Sequence, residues 1–298
     1  MLQYTIDQII RGEYFFMNSP KEIAQNYIAT GKAKTKYPVS KMLVMSVLAG
    51  MFIALAGVGA TISSSTIESA SLAKLIGAVV FPVGITMTLI AGSELFTGNC
   101  LIIIPVLEKE VKLRAMFKNW VFVYIGNFIG GLLIALLTVY SGTFSLFSNA
   151  AAISLIKTAV SKVGLTFSDA LLRGILCNFL VCIAVWMSFA AKDIVGRIAG
   201  LFLPIMLFVL CGYEHSVANM FYLPAGLFSA QNPVYAEAVG GNLSSLTWGN
   251  LLFRNLLPVT IGNIIGGMVL VGIAYWFAYL REPEKKAPTV QHSKKKKR

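Results

Sequence analysis

Two carboxylates stand in the same setting 120 positions apart. Gly92, Glu94 and Asn99 recur as Gly212, Glu214 and Asn219, so the pattern Gly-x-Glu-x-x-x-x-Asn is present twice. Each copy lies in the middle of a long apolar stretch. A charged side chain there costs about 2.5–3.5 kcal/mol on membrane-insertion scales and faces a bundle interior or a polar path rather than lipid. Glycine and asparagine near each carboxylate point to a helix that breaks at mid-membrane. His215, beside Glu214, adds a side chain whose unperturbed pKa is near 6.5, able to carry a charge or a proton over the ordinary pH range. Two matching breaks in corresponding places read as a duplicated transporter or channel half.

Composition says which elements must position these residues. The chain has 298 residues, 56% hydrophobic and only 13% charged, whereas a soluble domain carries about 25% charged residues. It reads as a polytopic membrane protein. Apolar segments lie near 41–64, 73–107, 117–140, 167–191, 196–230 and 255–280. Four are close to the roughly 20 residues that cross the hydrocarbon core, while 73–107 and 196–230 are too long for one simple span. Those two hold the twin motifs. The expected organisation is a cytoplasmic amino-terminal segment over 1–40, a transport domain over 41–280 with repeats at about 41–140 and 167–280, and a basic cytoplasmic tail over 281–298.

The start of the chain, with Asp7, Arg11 and Glu13, does not read as a signal peptide. Residues 19–38 read as an amphipathic helix along the membrane surface, with Ser19 as N-cap and Pro20 at the first position. The tail ends Lys294, Lys295, Lys296, Lys297, Arg298 and reads as solvated, with contact to anionic lipid headgroups as the alternative. Six spans place both termini on one side together with 20 of the 25 Lys and Arg, so the positive-inside rule puts that side in the cytoplasm of a cell-membrane protein. The +12 net charge is then a topology signal, and no basic patch interleaved with aromatics suggests nucleic acid. Cys100, Cys177, Cys182 and Cys211 lack metal-binding spacing and read as small packing residues; no cofactor is expected.

The ends of the halves also match. Asn119-x7-Asn127-x2-Gly130-Gly131 recurs as Asn255-x7-Asn263-x2-Gly266-Gly267, a spacing that reads as close helix packing in lipid. Three spans per half make the repeats run in opposite directions, bringing the two breaks together near the midplane. Half-helix amino termini aimed at that point present a positive field, for which an anion is the natural guest. Phe81, Pro82 and Ile85 precede the first break, and Phe208 and Val209 the second, as apolar walls on either side.

Gly-Ser-Glu-Leu-Phe-Thr-Gly-Asn (92–99), Cys-Ile-Ala-Val-Trp-Met-Ser (182–188), Gly-Tyr-Glu-His-Ser-Val-Ala-Asn-Met (212–220) and Pro-Val-Thr-Ile-Gly-Asn-Ile-Ile-Gly-Gly (258–267) resemble the formate/nitrite transporter family, over about residues 19–281. The resemblance implies an all-α membrane protein with six transmembrane helices as an inverted 3+3 repeat, aquaporin-like, with broken second and fifth helices. It also implies a homopentamer with one path per protomer. Carried over by position, His215 is the central histidine and Thr97 faces it from the loop interrupting the second helix. Phe81, Ile85, Phe208 and Val181 fall at constrictions, Ile85 standing where formate channels usually carry leucine. Lys162 corresponds to a vestibule lysine with Asn178 near it, and Glu94 and Glu214 to the acidic positions beside the breaks.

These expectations combine into a path for a small monovalent weak acid. Lys162 and the helix fields gather the anion, the apolar constrictions oppose its passage as a bare charge, and protonation at or near His215 removes that cost. Formate leads as substrate. The loop over 92–99 departs from that of formate channels, so nitrite, hydrosulfide and lactate stay open. An intramembrane enzyme is the rival class, but His215 with Glu214 is not a zinc motif, since no second histidine follows and His292 lies in the tail.

Overall fold

The computed structural model describes residues 17–281, which are almost entirely helical. The expectations for Asp7, Arg11 and Glu13 and for the terminal Lys/Arg run lie outside the described residues.

Helix α1 (Pro20–Thr35) starts where expected, with Ser19 and Glu22 closing a reciprocal capping box. Glu22 accepts the backbone N–H and the hydroxyl of Ser19, which hold its carboxyl below the usual range. This helix buries Ile23, Ala24, Tyr27 and Gly31. A Cβ on Gly31 would stand 2.8 Å from Pro105 Cγ, so the helix lies tightly across one end of the bundle. An exposed Lys32–Glu110 ion pair adds a tie there.

Helix α2 (Val39–Ser64) is followed by α3 (Ala70–Val80) and α4 (Val83–Ile90), separated at Phe81 and Pro82. The chain then leaves helical geometry and resumes it in α5 (Phe96–Asn99), a 3-10 turn (Cys100–Ile102) and α6 (Ile103–Leu107). Helix α7 (Leu113–Tyr140) ends this half. The second half runs through α8 (Ala150–Val163), α9 (Phe167–Ala190), α10 (Ile194–Leu210), α11 (Ser216–Ser229) and α12 (Pro233–Val239). Its last stretch joins α13 (Trp248–Asn250), α14 (Leu257–Ile264) and α15 (Ala274–Tyr279) through π-helices at Leu251–Leu256 and Ile265–Ile273. Pro258 lacks an N–H and crowds the carbonyl four residues back, and the wider π turn precedes it.

Among the described residues, five stretches are long and apolar enough to cross a membrane: Val39–Ser64, Ala70–Ile90, Leu113–Tyr140, Phe167–Ala190 and Trp248–Tyr279. The remaining expected segment, 196–230, consists of two shorter helices, α10 and α11. The segment around Lys162, only partly apolar in sequence, is the helix α8. Asn232, followed by Pro233, caps α12 ahead of the last span.

The glycine-rich motifs set how close the helices come. A Cβ on Gly130 of α7 would lie 2.1 Å from the Val47 carbonyl oxygen of α2, and one on Gly266 2.1 Å from that of Ile175 in α9. Backbone meets backbone at both places, which lets dispersion forces hold helices together where lipid offers no hydrophobic drive.

The two departures from helix have the same local cause. Gly92 has φ +81° and Gly212 φ +69°, a left-handed conformation that glycine adopts without a Cβ clash. The residue after each glycine donates its N–H back into the helix just ended, Ser93 to Thr88 and Tyr213 to Phe208. This is the Schellman pattern that ends helices. Leu95 and His215 are extended, and each precedes a new helix. Cys100, Cys177 and Cys182 are buried as expected, but Cys211 is exposed because it falls on this turn rather than inside a packed helix.

Candidate functional site

Each turn carries a buried carboxylate held by the same residue types. Glu94 accepts a hydrogen bond from Lys34 Nζ at 2.8 Å and one from Asn99 Nδ2 at 2.7 Å. Glu214 accepts from Lys162 Nζ at 2.8 Å and from Asn219 Nδ2 at 2.6 Å. Asn99 also donates to Asn119, and Asn219 to Asn255. A second asparagine holds the backbone of each turn. Asn127 accepts the N–H of Phe96 and donates to the carbonyls of Glu94 and Ser46; Asn263 accepts the N–H of Ser216 and donates to those of Glu214 and Gly174. Backbone released from a helix needs such partners when no water is near. The asparagines read in sequence as part of a helix-packing motif therefore have a second task.

The two clusters differ at an asparagine oxygen. Lys34 also reaches Asn99 Oδ1 at 3.0 Å, whereas Asn219 Oδ1 is buried with no protein partner among the described residues.

Between the clusters, Thr97 Oγ1 lies 2.9 Å from His215 Nε2, both buried. His215 Nδ1 accepts the backbone N–H of Ala218 at 3.1 Å, capping α11. A nitrogen that accepts carries no proton, so the neutral ring holds its hydrogen on Nε2 and donates it to Thr97. The Thr97 hydroxyl hydrogen then remains free for a further acceptor. Two rings line up on this pair: Phe208 stacks on His215 with centroids 5.8 Å apart, and Phe81 meets Phe208 edge-on at 5.8 Å.

A cavity of about 690 Å³ approaches from one side, bordered by Lys162, Glu214, Phe81, Phe208 and His215. A smaller one of about 240 Å³ approaches from the other, bordered by Lys34, Glu94, Ile85 and Leu95. Phe81, Phe208 and His215 border the wider cavity and Ile85 the narrower, while Thr97 borders neither and joins the group through its bond to His215. Val181 is buried on α9 and borders neither. Asn178, expected near Lys162, instead donates to the carbonyls of Thr97 and Asn263, bracing the loop behind Thr97. No group of His, Cys, Asp and Glu among the described residues could hold a metal ion.

Lys34 is the member of the site that the sequence reading passed over. Its signal was its position in the last turn of a helix that precedes a membrane-length span, which Lys162 shares.

A model of the formate/nitrite transporter family matches residues 21–277. The chain belongs to the formate/nitrite transporter family. Within it, the chain is 38% identical over 282 residues to a probable formate transporter of Methanothermobacter thermautotrophicus, covering 89% of this chain and 98% of that protein. To the formate channel FocA of Escherichia coli K12 it is 40% identical over 256 residues, 83% of this chain and 89% of FocA. Among solved structures it resembles a pentameric formate channel with formate bound, with TM-score 0.73, 31% identity and coverage of 82% and 98%. Such relatives are channels and transporters rather than enzymes, and membership makes this chain a multi-pass membrane transport protein.

Proposed function

We propose that the chain conducts a small monovalent weak-acid anion, with formate as the first candidate, between the two cavities. The observation that carries this reading is the Thr97–His215 hydrogen bond at 2.9 Å, enclosed between apolar side chains where the cavities meet. A bare anion is opposed by Phe81, Ile85 and Phe208, because it would lose its hydration there. The hydroxyl of Thr97, held by His215, is aimed by its own remaining hydrogen toward an acceptor, and a carboxylate is such an acceptor. Proton transfer at this point, or along water in the vestibule, lets the acid cross uncharged. Val181, though it borders neither cavity, is kept as a further constriction residue on the family resemblance, and Asn178 keeps the Thr97 loop in place.

The architecture we infer is aquaporin-like: six transmembrane helices as an inverted 3+3 repeat, the second and fifth broken at Gly92 and Gly212. The matched Lys–Glu–Asn–Asn clusters support it. In this reading residues 1–40 form a cytoplasmic segment, 41–280 the transport domain and 281–298 a basic, solvated cytoplasmic tail. The distribution of Lys and Arg supports both termini being cytoplasmic, and the named pentameric relative supports a homopentamer. Nitrite is the second reading, favoured by the 92–99 loop.

The test is uptake of radiolabelled formate into proteoliposomes at about pH 5.5 and about pH 7.5, either side of an unperturbed histidine pKa, with nitrite, hydrosulfide and lactate as competitors. Fast formate uptake, faster at low pH and weakly challenged by nitrite, is expected. Negligible formate uptake beside clear nitrite flux would overturn the substrate.

A further inference from the structure

Away from the cavities, helix α7 (Leu113–Tyr140) presents an exposed apolar row in which Phe117, Val121 and Ile125 follow one another at four-residue spacing. Residues three and four apart are neighbours on a helix surface. Arg114 stands three residues before Phe117, and Lys118 three before Val121, so both border the row. Both are exposed, as is Lys112 just ahead of the helix. The carboxylates nearest to them in the chain are engaged elsewhere. Glu108 accepts Trp276 Nε1 at 2.6 Å, and Glu110 is paired with Lys32. Among the described residues the side chains of Lys112, Arg114 and Lys118 have no ion-pair or hydrogen-bond partner.

The second half supplies an internal comparison. At the offset of 136 positions that relates Asn119 to Asn255, the row recurs as Phe253, Leu257 and Ile261, all exposed. Its charges do not recur, because Lys112, Arg114 and Lys118 correspond to Trp248, Asn250 and Arg254. An exposed apolar row is thus common to both halves, and only the first begins beneath three cations. The positive-inside rule accounts for a basic loop. It does not call for two of the charges to stand within the helix, flanking exposed apolar side chains.

We propose that Lys112, Arg114 and Lys118, together with the row begun by Phe117, form a binding site for one anionic phospholipid. The planar fork of Arg114 matches two oxygens of the phosphodiester, and the lysines supply point charges. An acyl chain lies along Phe117, Val121 and Ile125. Basic side chains rest their stems on apolar surface and keep their charged ends at the headgroup level, so one ligand satisfies both parts of the site. A free phosphate would satisfy only the charges. Each basic side chain near an anionic lipid surface is worth about a fivefold change in affinity. The leaflet to which this site belongs rests on the orientation reading above; the site itself does not.

Native mass spectrometry of the full-length protein in detergent, titrated with dioleoylphosphatidylglycerol or dioleoylphosphatidylcholine, tests the site. The parent should bind phosphatidylglycerol about tenfold or more tightly than phosphatidylcholine. R114Q/K118Q should weaken phosphatidylglycerol by about tenfold or more, and R114K/K118R should keep most of the affinity. K157Q/R254Q, which removes as much charge elsewhere, should bind as the parent does. Equal binding of the two lipids, or equal weakening in R114Q/K118Q and K157Q/R254Q, overturns the site. Glycerophosphoglycerol, the headgroup without its chains, should fail to displace the lipid at equal concentration. Displacement would leave a plain phosphate site and overturn the lipid. Maleimide labelling of F117C in a C211S background should slow several-fold when phosphatidylglycerol is added. Cross-linking of F117C between two copies by a bismaleimide would instead place this face between protomers and overturn the proposal.

Discussion

Thr97 and His215 differ from the residues that the duplication sets opposite them. Counting 120 positions along, Thr97 corresponds to Val217 and His215 to Leu95, both apolar and buried. Each half therefore contributes one polar side chain to the centre and one apolar residue in the matching place. Thr97→Val should leave His215 Nε2–H without its acceptor and reduce anion flux by about tenfold or more, with Thr97→Ser retaining most of it, measured as initial uptake rate. His215→Asn keeps a capping residue but removes the titrating ring, so the ratio of uptake at low and neutral pH should flatten; an unchanged profile would remove His215 from the proton pathway. Glu214→Gln leaves Lys162 without its counter-charge and should cost about 3 kcal/mol, with much of it recovered in the double variant K162M/E214Q. Thermal unfolding in detergent checks both. At this scale the sequence was informative where types repeat. Glu94, Glu214 and their asparagines stood out because each pattern occurs twice. Lys34 did not, because it lies 60 residues before its partner and 52 separate Lys162 from Glu214, so no fixed spacing announces the pair.

Helix starts and stops were largely legible, since caps and glycines are local signals. Ser19 and Pro20 open α1 as expected, and Gly92 and Gly212 end helices for steric reasons visible in any sequence. The π-helices at Leu251–Leu256 and Ile265–Ile273 were not legible, because hydrophobic period cannot register one extra residue per turn. Nor was the true reach of α1, whose docking depends on Gly31 meeting Pro105 far along the chain. Gly130→Ala and Gly266→Ala, each placing a Cβ against a carbonyl, should destabilise by about 1–3 kcal/mol or more and lower the yield of monodisperse protein on size exclusion. Glu22 supplies a pH dependence with a definite sign. Its folded pKa lies below the usual carboxylate value, so its stabilisation of α1 is fully present above the usual range and is lost as pH falls through the folded pKa. Protection of α1 amides relative to their intrinsic exchange should fall as pH drops below the usual carboxylate range, and Ser19→Ala should show exchange about fivefold faster already at neutral pH.

At the scale of the whole molecule, composition and hydropathy were enough to identify a membrane protein with about the right number of apolar segments. They divided 73–107 and 196–230 from the rest by length alone, and those segments hold both turns. What they could not supply is which side chains meet at the centre, since Thr97 and His215 lie 118 residues apart. The proposal that both termini are cytoplasmic rests on 20 of 25 basic residues. A tag after Arg298 should accordingly be protected from protease in intact cells and exposed in inverted vesicles; the reverse pattern would overturn the orientation.

The order of residues along the chain has a consequence for how the protein is made. Lys34 precedes Glu94, and Lys162 precedes Glu214. The ribosome therefore releases each ammonium group before the carboxylate it neutralises. When Glu94 emerges its counter-ion is already waiting, whereas Asn127 arrives 33 residues later; Asn263 follows Glu214 by 49. A nascent chain halted after Leu107 would hold the charge pair of the first half and Asn99, but neither Asn119 nor Asn127. Neutralisation is thus available early in synthesis, and the fastening of the freed backbone must wait for the next helix.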